Sequence, residues 1–365
     1  MRRPRVLRLG NRRLVSSSII RAAPRQHGGG RERGSLVRRA RKSIRKGSRS
    51  FALASSLFDK ATRERVWLLY AWCRRCDDIA DGQDHGAGSG LKLDDATARQ
   101  RVMAIRILTE RALEGQPTAE TAFDAFGQVA AECRLTAEDA NDVIEGFALD
   151  AQGWRPRTEE DLMRYCFHVA GAVGVMMAKI MGISKDDHDA LDRACDLGLS
   201  FQLVNIARDL SDDDARGRCY IPTEWLAEAD IPPGVRLRPE YRDRLVELVA
   251  LVARLLDMAE QHEAVARFGA NGLGFRQRWA VLSAARIYGA IGRKVRAAGP
   301  HAWDHRVHTG SLARLGHVIA AAWDALFEVP APEAWPQHTR GSLMMAARMA
   351  GPIAPMPDTP LPDEV

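Results

Sequence analysis

Between Phe201 and Asp213 the polar and apolar positions follow a helical rhythm. Phe201, Leu203, Val204, Ile206 and Leu210 are apolar, while Gln202, Asn205, Asp209 and Asp213 recur every three or four residues. On a helix that spacing lays the four polar side chains along one stripe of one face. A second stretch, YAWCRRCDDIAD (70–81), repeats the arrangement, with Tyr70, Arg74, Asp77 and Asp81 at i, i+4, i+7 and i+11. Similar periodicity predicts helices over about 60–80, 94–114, 119–132, 136–150, 158–182, 187–211, 239–265, 275–298 and 310–326. Gly115 and Pro117 separate two of them, and Thr136 with Glu138 and Asp139 marks the start of another. No strand alternation of useful length and no repeat of fixed period appears. The pattern predicts an all-α fold.

Composition changes this picture in two places. At 365 residues and 46% hydrophobic content the chain can bury a large core. The longest apolar run, Val169 to Ala178, stops at Lys179, too short to cross a membrane. The net charge of +6 comes from one end: residues 1–46 hold sixteen Lys and Arg against one acid, Glu32, so the rest is net negative. That arm is expected to be disordered, and its charge suits an anionic membrane surface, a nucleic acid or a transit peptide. The body is expected at 47–330. A tail follows at 331–365, Pro-rich and disordered from about 351. The Gly-rich loop 82–90 reads as a cover near the first acidic stripe, and the three prolines of 230–239 as a linker. Cys73 and Cys76 form a C-x-x-C inside a helix with no second Cys/His pair nearby, which argues for packing thiols rather than zinc. Six cysteines without a disulfide framework suit a reduced, intracellular protein.

The two stripes carry the candidate chemistry. Their ligands are all oxygen, the choice of a hard ion such as Mg²⁺ or Mn²⁺. Carboxylates on an otherwise apolar helix are costly to bury unless cations pair with them. Ser48, Arg49 and Ser50 fit either a phosphate contact or a helix N-cap. Arg216 and Arg218 leave the second stripe as a basic loop able to fold over phosphates. On the most apolar helix, Gly171, Ala172 and Gly174 admit either a neighbouring helix or a long isoprenoid chain. Its polar members are Tyr165 and His168, the latter read as a satisfied core histidine. Gly269, Gly272 and Gly274 are wrongly spaced for a dinucleotide fingerprint.

At these residues the chain resembles the squalene/phytoene synthase family of head-to-head prenyl transferases. The segments GSRSFALASSLF (47–58), YAWCRRCDDIAD (70–81), YCFHVAGAVGVMM (165–177), FQLVNIARDLSDDDARGRCYIP (201–222) and WDHRV (303–307) carry the resemblance, which is to the phytoene-forming bacterial branch. It implies a single-domain isoprenoid-synthase bundle around a central apolar cavity, with two Asp-rich helices at its mouth. It implies condensation of two geranylgeranyl diphosphates to phytoene through prephytoene diphosphate, with two to three Mg²⁺ or Mn²⁺ ions and no nicotinamide cofactor. Asp77, Asp81, Asn205, Asp209 and Asp213 would hold the metals. Arg49, Tyr70, Arg74, Gln202, Arg208, Tyr288 and Arg306 would contact diphosphates or the metal shell. The family places a second aromatic hydroxyl where this chain has Phe167, leaving Tyr165 as the tyrosine candidate for proton handling.

The alternative within the family is a C15-using synthase of squalene, hydroxysqualene or dehydrosqualene. A non-catalytic helical relative should have lost acidic ligands, and both motifs here are complete. A nucleic-acid binder would act through the arm and lose function with residues 1–46; no nucleic acid and no obligate protein partner is expected. The expected location is the cytoplasm, with peripheral contact at the inner face of the membrane, because substrate and product are lipidic.

Overall fold

A computed structural model describes residues 27–82, 95–232 and 244–350. All of the Gly-rich loop beyond Gly82 and most of the proline linker named above lie outside the described residues. Among those described there is helix and no strand. The helices are α1 Arg33–Gly47, α2 Arg49–Ser55, α3 Lys60–Ala80, α4 Asp95–Leu113, α5 Thr121–Cys133, α6 Ala137–Ala151 and α7 Glu159–Cys166. Then come α8 Ala172–Ile180, α9 His188–Ala215, α10 Thr223–Glu228, α11 Leu245–Gly269, α12 Phe275–Ala298, α13 Ser311–Asp324 and α14 Arg340–Met349. None is long and apolar enough to cross a membrane.

The two motif helices, α3 and α9, are the spines of the bundle. α3 begins at Asp59, whose side chain accepts from the backbone N–H of Ala61 and Thr62. It packs against α1, α5, α4 and α6 through Val66, Leu68, Leu69, Trp72 and Cys76, all buried. α9 packs along α11 and against α8 and α12. Leu203, Val204, Ile206, Ala207 and Leu210 are buried on it, while Gln202, Asn205, Asp209 and Asp213 stay half-exposed. The helical stripe read from the sequence is therefore the face that α9 keeps out of the core.

The long apolar helix expected over 158–182 is interrupted. A π-helical turn at Phe167–Gly171 separates α7 from α8. The small residues there serve helix packing rather than a ligand. A Cβ on Gly174 would lie 2.2 Å from the Ala194 carbonyl oxygen, and one on Gly198 2.3 Å from that of Ala170. His168 is buried, with Nδ1 2.8 Å from the Asp142 carbonyl oxygen, a satisfied core histidine. Cys73 and Cys76 are free thiols packed in or against the core.

Both chain ends correct the sequence reading. The basic arm does not run to residue 46. α1 buries Leu36, Val37, Ala40 and Ile44 against the core, an apolar stripe that the arginines between them mask in any compositional average. Before it, the Gly run turns left-handed, and Gly29 (φ 61°) has its missing Cβ 2.4 Å from Asp124 Oδ1. Arg33 then reaches Glu132 (Nε–Oε1, 2.6 Å) and Glu64 (2.5 Å), and Arg65 meets the same Glu132 at 3.0 Å. At the other end α14 sinks Leu343 into the core. Its arginines bind Asp192 (Arg340, 2.6 Å) and Glu138 (Arg348, 2.6 Å). The part of the expected tail up to about residue 350 thus belongs to the fold; 351–365 lies outside the described residues.

A cleft of about 480 Å³ lies between α1 and the start of α3, lined by Arg33, Arg38, Arg41, Lys60, Arg63 and Trp67 among others. It is basic, and none of the motif carboxylates lines it.

Candidate active site

The two acidic stripes, more than a hundred residues apart in sequence, meet through side chains. Arg218, on the turn after α9, donates to Asp81 at the end of α3 (Nη2–Oδ1, 2.7 Å). That turn is held by the Asp213 carbonyl, which accepts from the backbone N–H of Arg216 and Arg218 at 3.0 and 2.9 Å. The side chain of Arg216 is exposed. On α3, Arg74 binds Asp77 (3.1 Å) and Asp78 (2.7 Å). On α9, Arg208 clamps its neighbour Asp209, and Arg306 binds the same carboxylate with two hydrogen bonds of 2.9 Å. Trp303 anchors the segment carrying Arg306 by donating from Nε1 to the Ala207 carbonyl at 3.0 Å.

The carboxylates differ in how the surroundings treat them. Burial pushes Asp77 up to about 6, and the charge of Asp81 adds to it. Burial and the charge of Asp209 push Asp213 up to about 7. For Asp209 burial acts in the same direction, but the hydrogen bonds from Arg208 and Arg306 overcome it and hold the group below its ordinary value. Like charges crowded into a half-buried site disfavour ionisation, and a cation placed among them reverses that. No group of three or more His, Cys, Asp or Glu among the described residues converges tightly enough to hold a metal unaided. The donor set does fit a hard ion that takes one or two carboxylates from each helix and completes its shell with water and substrate phosphate.

The aromatic candidates surround this mouth. Tyr288 stacks on Phe201 with ring centroids 4.0 Å apart, and burial pushes its hydroxyl up. Tyr70 stacks on Phe51 at 5.9 Å, and burial pushes it up to about 12. Gln202 accepts from Asn205 Nδ2 at 3.4 Å. Ser48 takes the N-cap role: its Oγ accepts from the Phe51 backbone N–H at 3.2 Å. Arg49 and Ser50 form the first turn of α2, Ser50 being half-buried.

The model of the squalene/phytoene synthase family matches residues 44–313. The chain belongs to the squalene/phytoene synthase family. It is 45% identical over 286 residues to a phytoene synthase of Pseudescherichia vulneris, covering 78% of this chain and 91% of that protein. It is 43% identical over 292 residues to a 15-cis-phytoene synthase of Pantoea ananas, covering 80% of this chain and 93% of that protein. Among solved structures, a dehydrosqualene synthase in complex with ligand superposes with a TM-score of 0.69 at 24% identity, covering 81% of this chain and 98% of that one. That last likeness shows the shared fold, the isoprenoid-synthase bundle expected from the resemblance.

One part of this squalene/phytoene synthase site escaped the sequence reading. Asp150, near the end of α6, accepts from Tyr165 Oη (3.1 Å) on one oxygen and from Tyr220 Oη (2.8 Å) on the other. The two tyrosine rings stack at 4.7 Å, and Trp154 stacks on Tyr165 at 5.7 Å. Burial pushes Asp150 up, the nearby Arg218 guanidinium pulls it down, and Asp81 pushes again. This buried acid therefore joins Tyr165 to the bridge between the stripes. Its sequence signal was one more acid at the end of a helix that already carries Glu138, Asp139, Asp142 and Glu145, with nothing to set it apart.

Proposed function

We propose that this chain is a phytoene synthase, joining two geranylgeranyl diphosphates head to head and releasing diphosphate. The observation that carries the reading is the Arg218–Asp81 bridge, which brings both acidic stripes to one mouth. Asp77 and Asp81 from α3 and Asn205, Asp209 and Asp213 from α9 hold two or three Mg²⁺ or Mn²⁺ ions. The chemistry such ions supply when bound is neutralisation of the diphosphate as it leaves. The chain's own residues do the rest. Arg74, Arg208 and Arg306, already aligned on the carboxylates, bind diphosphate oxygens, with Arg49, Ser50, Tyr70, Gln202 and Tyr288 completing the contact and Ser48 fixing the turn that presents them. Arg216 and Arg218 close the loop over the diphosphates and exclude water from the cation that ionisation leaves. Phe51, Phe147, Val169, Val173 and Met177 pack on the core yet keep accessible surface; they line the prenyl chains. Asp150 fixes Tyr165 and Tyr220 at the mouth, so that Tyr165 positions the departing group rather than acting as a free acid.

The first condensation releases one diphosphate and one proton and gives prephytoene diphosphate, whose cyclopropane carries both chains. Ionisation, rearrangement and loss of one proton then give phytoene. The released diphosphate, held among the arginines, accepts the proton, and no nicotinamide cofactor is needed. The enzyme works in the cytoplasm with peripheral contact at the membrane, without nucleic acid and without an obligate protein partner.

The test is a product assay with purified protein and Mg²⁺. Conversion of geranylgeranyl diphosphate to a C40 phytoene supports the reading. A C30 product from farnesyl diphosphate, with the C20 substrate inert, replaces it with the C15 alternative.

A further inference from the structure

α13 has two faces with opposite fates. Val318, Ala321 and, just past its end, Ala325 are buried, and Trp279 of α12 donates from Nε1 to the Val318 carbonyl at 2.8 Å. On the other side Leu312, Leu315, Ile319, Trp323, Leu326 and Phe327 are between 50% and 88% exposed. On the helix Leu312, Leu315, Ile319 and Trp323, spaced three, four and four apart, fall within one third of the circumference, and Leu326 and Phe327 follow just past its end. The rings of Trp323 and Phe327 stand 5.2 Å apart at a tilt of 54°. Six large apolar side chains in one contiguous strip exceed the scattered hydrophobics of an ordinary surface.

Charge around the strip points to one occupant. Arg293 and Lys294, exposed on α12, act on His317 of α13 together with Arg286. The acid of this helix, Asp324, is already held by Arg286 (2.7 Å) and Arg267 (3.2 Å); Glu328, beyond the helix, is exposed. An apolar strip with an aromatic at one end and a cationic flank suits the headgroup–acyl boundary of an anionic bilayer. The strip also starts close to the site along the chain. α13 begins five residues after Arg306 and packs on α12, the helix of Tyr288.

We propose that the exposed face of α13 docks on an anionic phospholipid bilayer, with Ile319, Trp323 and, just past the helix, Phe327 entering the acyl boundary and Arg293 and Lys294 of α12 meeting lipid phosphates. This rests on the reading of the chain as a peripheral enzyme of lipidic substrates and names the surface involved. A prenyl diphosphate dissolved in the bilayer then meets the mouth with its charged end in water and its tail in lipid.

The test uses the full chain and vesicles of phosphatidylcholine with and without phosphatidylglycerol. Wild type co-sediments with the anionic vesicles, and its tryptophan emission shifts to the blue. The triple variant Ile319→Ser, Trp323→Ser, Phe327→Ser, all at exposed positions, lowers partition by at least about ten-fold. It keeps its melting temperature and its turnover of detergent-dispersed substrate. Arg293→Glu with Lys294→Glu lowers partition several-fold at low salt and little at high salt. Failure of wild type to bind any vesicle overturns both the proposal and the peripheral reading. Unchanged binding by the triple variant, with loss in an Arg38→Glu, Lys60→Glu variant of the basic cleft, overturns the proposal alone. So does a wild-type dimer in light scattering that the triple variant converts to monomer, since a second copy then covers the strip.

Discussion

Arginine meets carboxylate in two parts of this molecule, with opposite results. At the flank where α1 packs on α3 and α5, burial works against the Glu132 charge, yet hydrogen bonds from Arg33, Gln128 and Arg65 bring its carboxyl down to about 2. At the mouth between α3 and α9, Asp77 and Asp213 are pushed up to about 6 and about 7, although Arg74 and Arg218 stand close by. The flank has two acids, Glu64 and Glu132, for its two arginines. The mouth crowds Asp77, Asp78, Asp81, Asp209, Asp212 and Asp213, with Asp150 behind them, against Arg74, Arg208, Arg216, Arg218 and Arg306. An ion pair that closes on itself is a fastening. A surplus of buried carboxylate is a site awaiting cations, and such surpluses mark function more often than structure. Within that surplus Asp209 is bound by two arginines, which hold its carboxyl below the ordinary value.

The sharpest way to break the comparison is to remove charge at the mouth. Asp77→Asn and Asp209→Asn are each expected to lower kcat by at least about a hundred-fold while leaving circular dichroism unchanged. Asp150→Asn comes next, at about ten-fold or more, because it frees Tyr165 and Tyr220 without touching diphosphate. Tyr165→Phe should lose less than Asp150→Asn, since the ring stack survives; the ratio of the two rates checks this.

Stability should move the other way at the two places. Asp213 has its carboxyl raised, so its charged form costs the fold as pH climbs from the ordinary value of 3.8 through about 7. In metal-free protein Asp213→Asn is therefore expected to raise stability above pH 7, on the order of 1–3 kcal/mol, and to change little near pH 4. Glu132 is depressed, so its contribution is present above about 4.5 and is lost as pH falls toward about 2. Glu132→Gln should cost about 1–2 kcal/mol at pH 7, after allowance for solvent screening, and nothing at the acid end. Thermal melts across this range check both signs. The smallest effect is expected from deleting residues 1–26, which should leave turnover within about two-fold. Deletion through residue 46 removes Leu36, Val37, Ala40 and Ile44 from the core and should cost several kcal/mol.

What the sequence made legible follows from the same physics. The two stripes were readable because charge recurring at helical spacing inside apolar helices has few structural explanations. The helices themselves were readable from period, and Thr136 does cap α6 in a box with Asp139. α1 was not, because nine of its fifteen residues are Arg, Lys or Ser, and charge dominated the average. α14 hid among prolines and small residues for a similar reason. Asp150 was illegible because its partners, Tyr165 and Tyr220, arrive from other elements, and a lone acid at a helix end looks like any solvated one. The choice between a packed helix and a prenyl chain at Gly171 and Gly174 depended on where α9 passes, which periodicity does not contain.

The account's central claim is that surplus carboxylate at the mouth, and not the paired carboxylate at the flank, binds cations together with diphosphate. Electron paramagnetic resonance of Mn²⁺, titrated into the protein with inorganic diphosphate, measures this without turnover. Wild type and Glu132→Gln are expected to bind alike, while Asp77→Asn and Asp209→Asn each lose at least about ten-fold in affinity. Equal Mn²⁺ binding by all four proteins would contradict it.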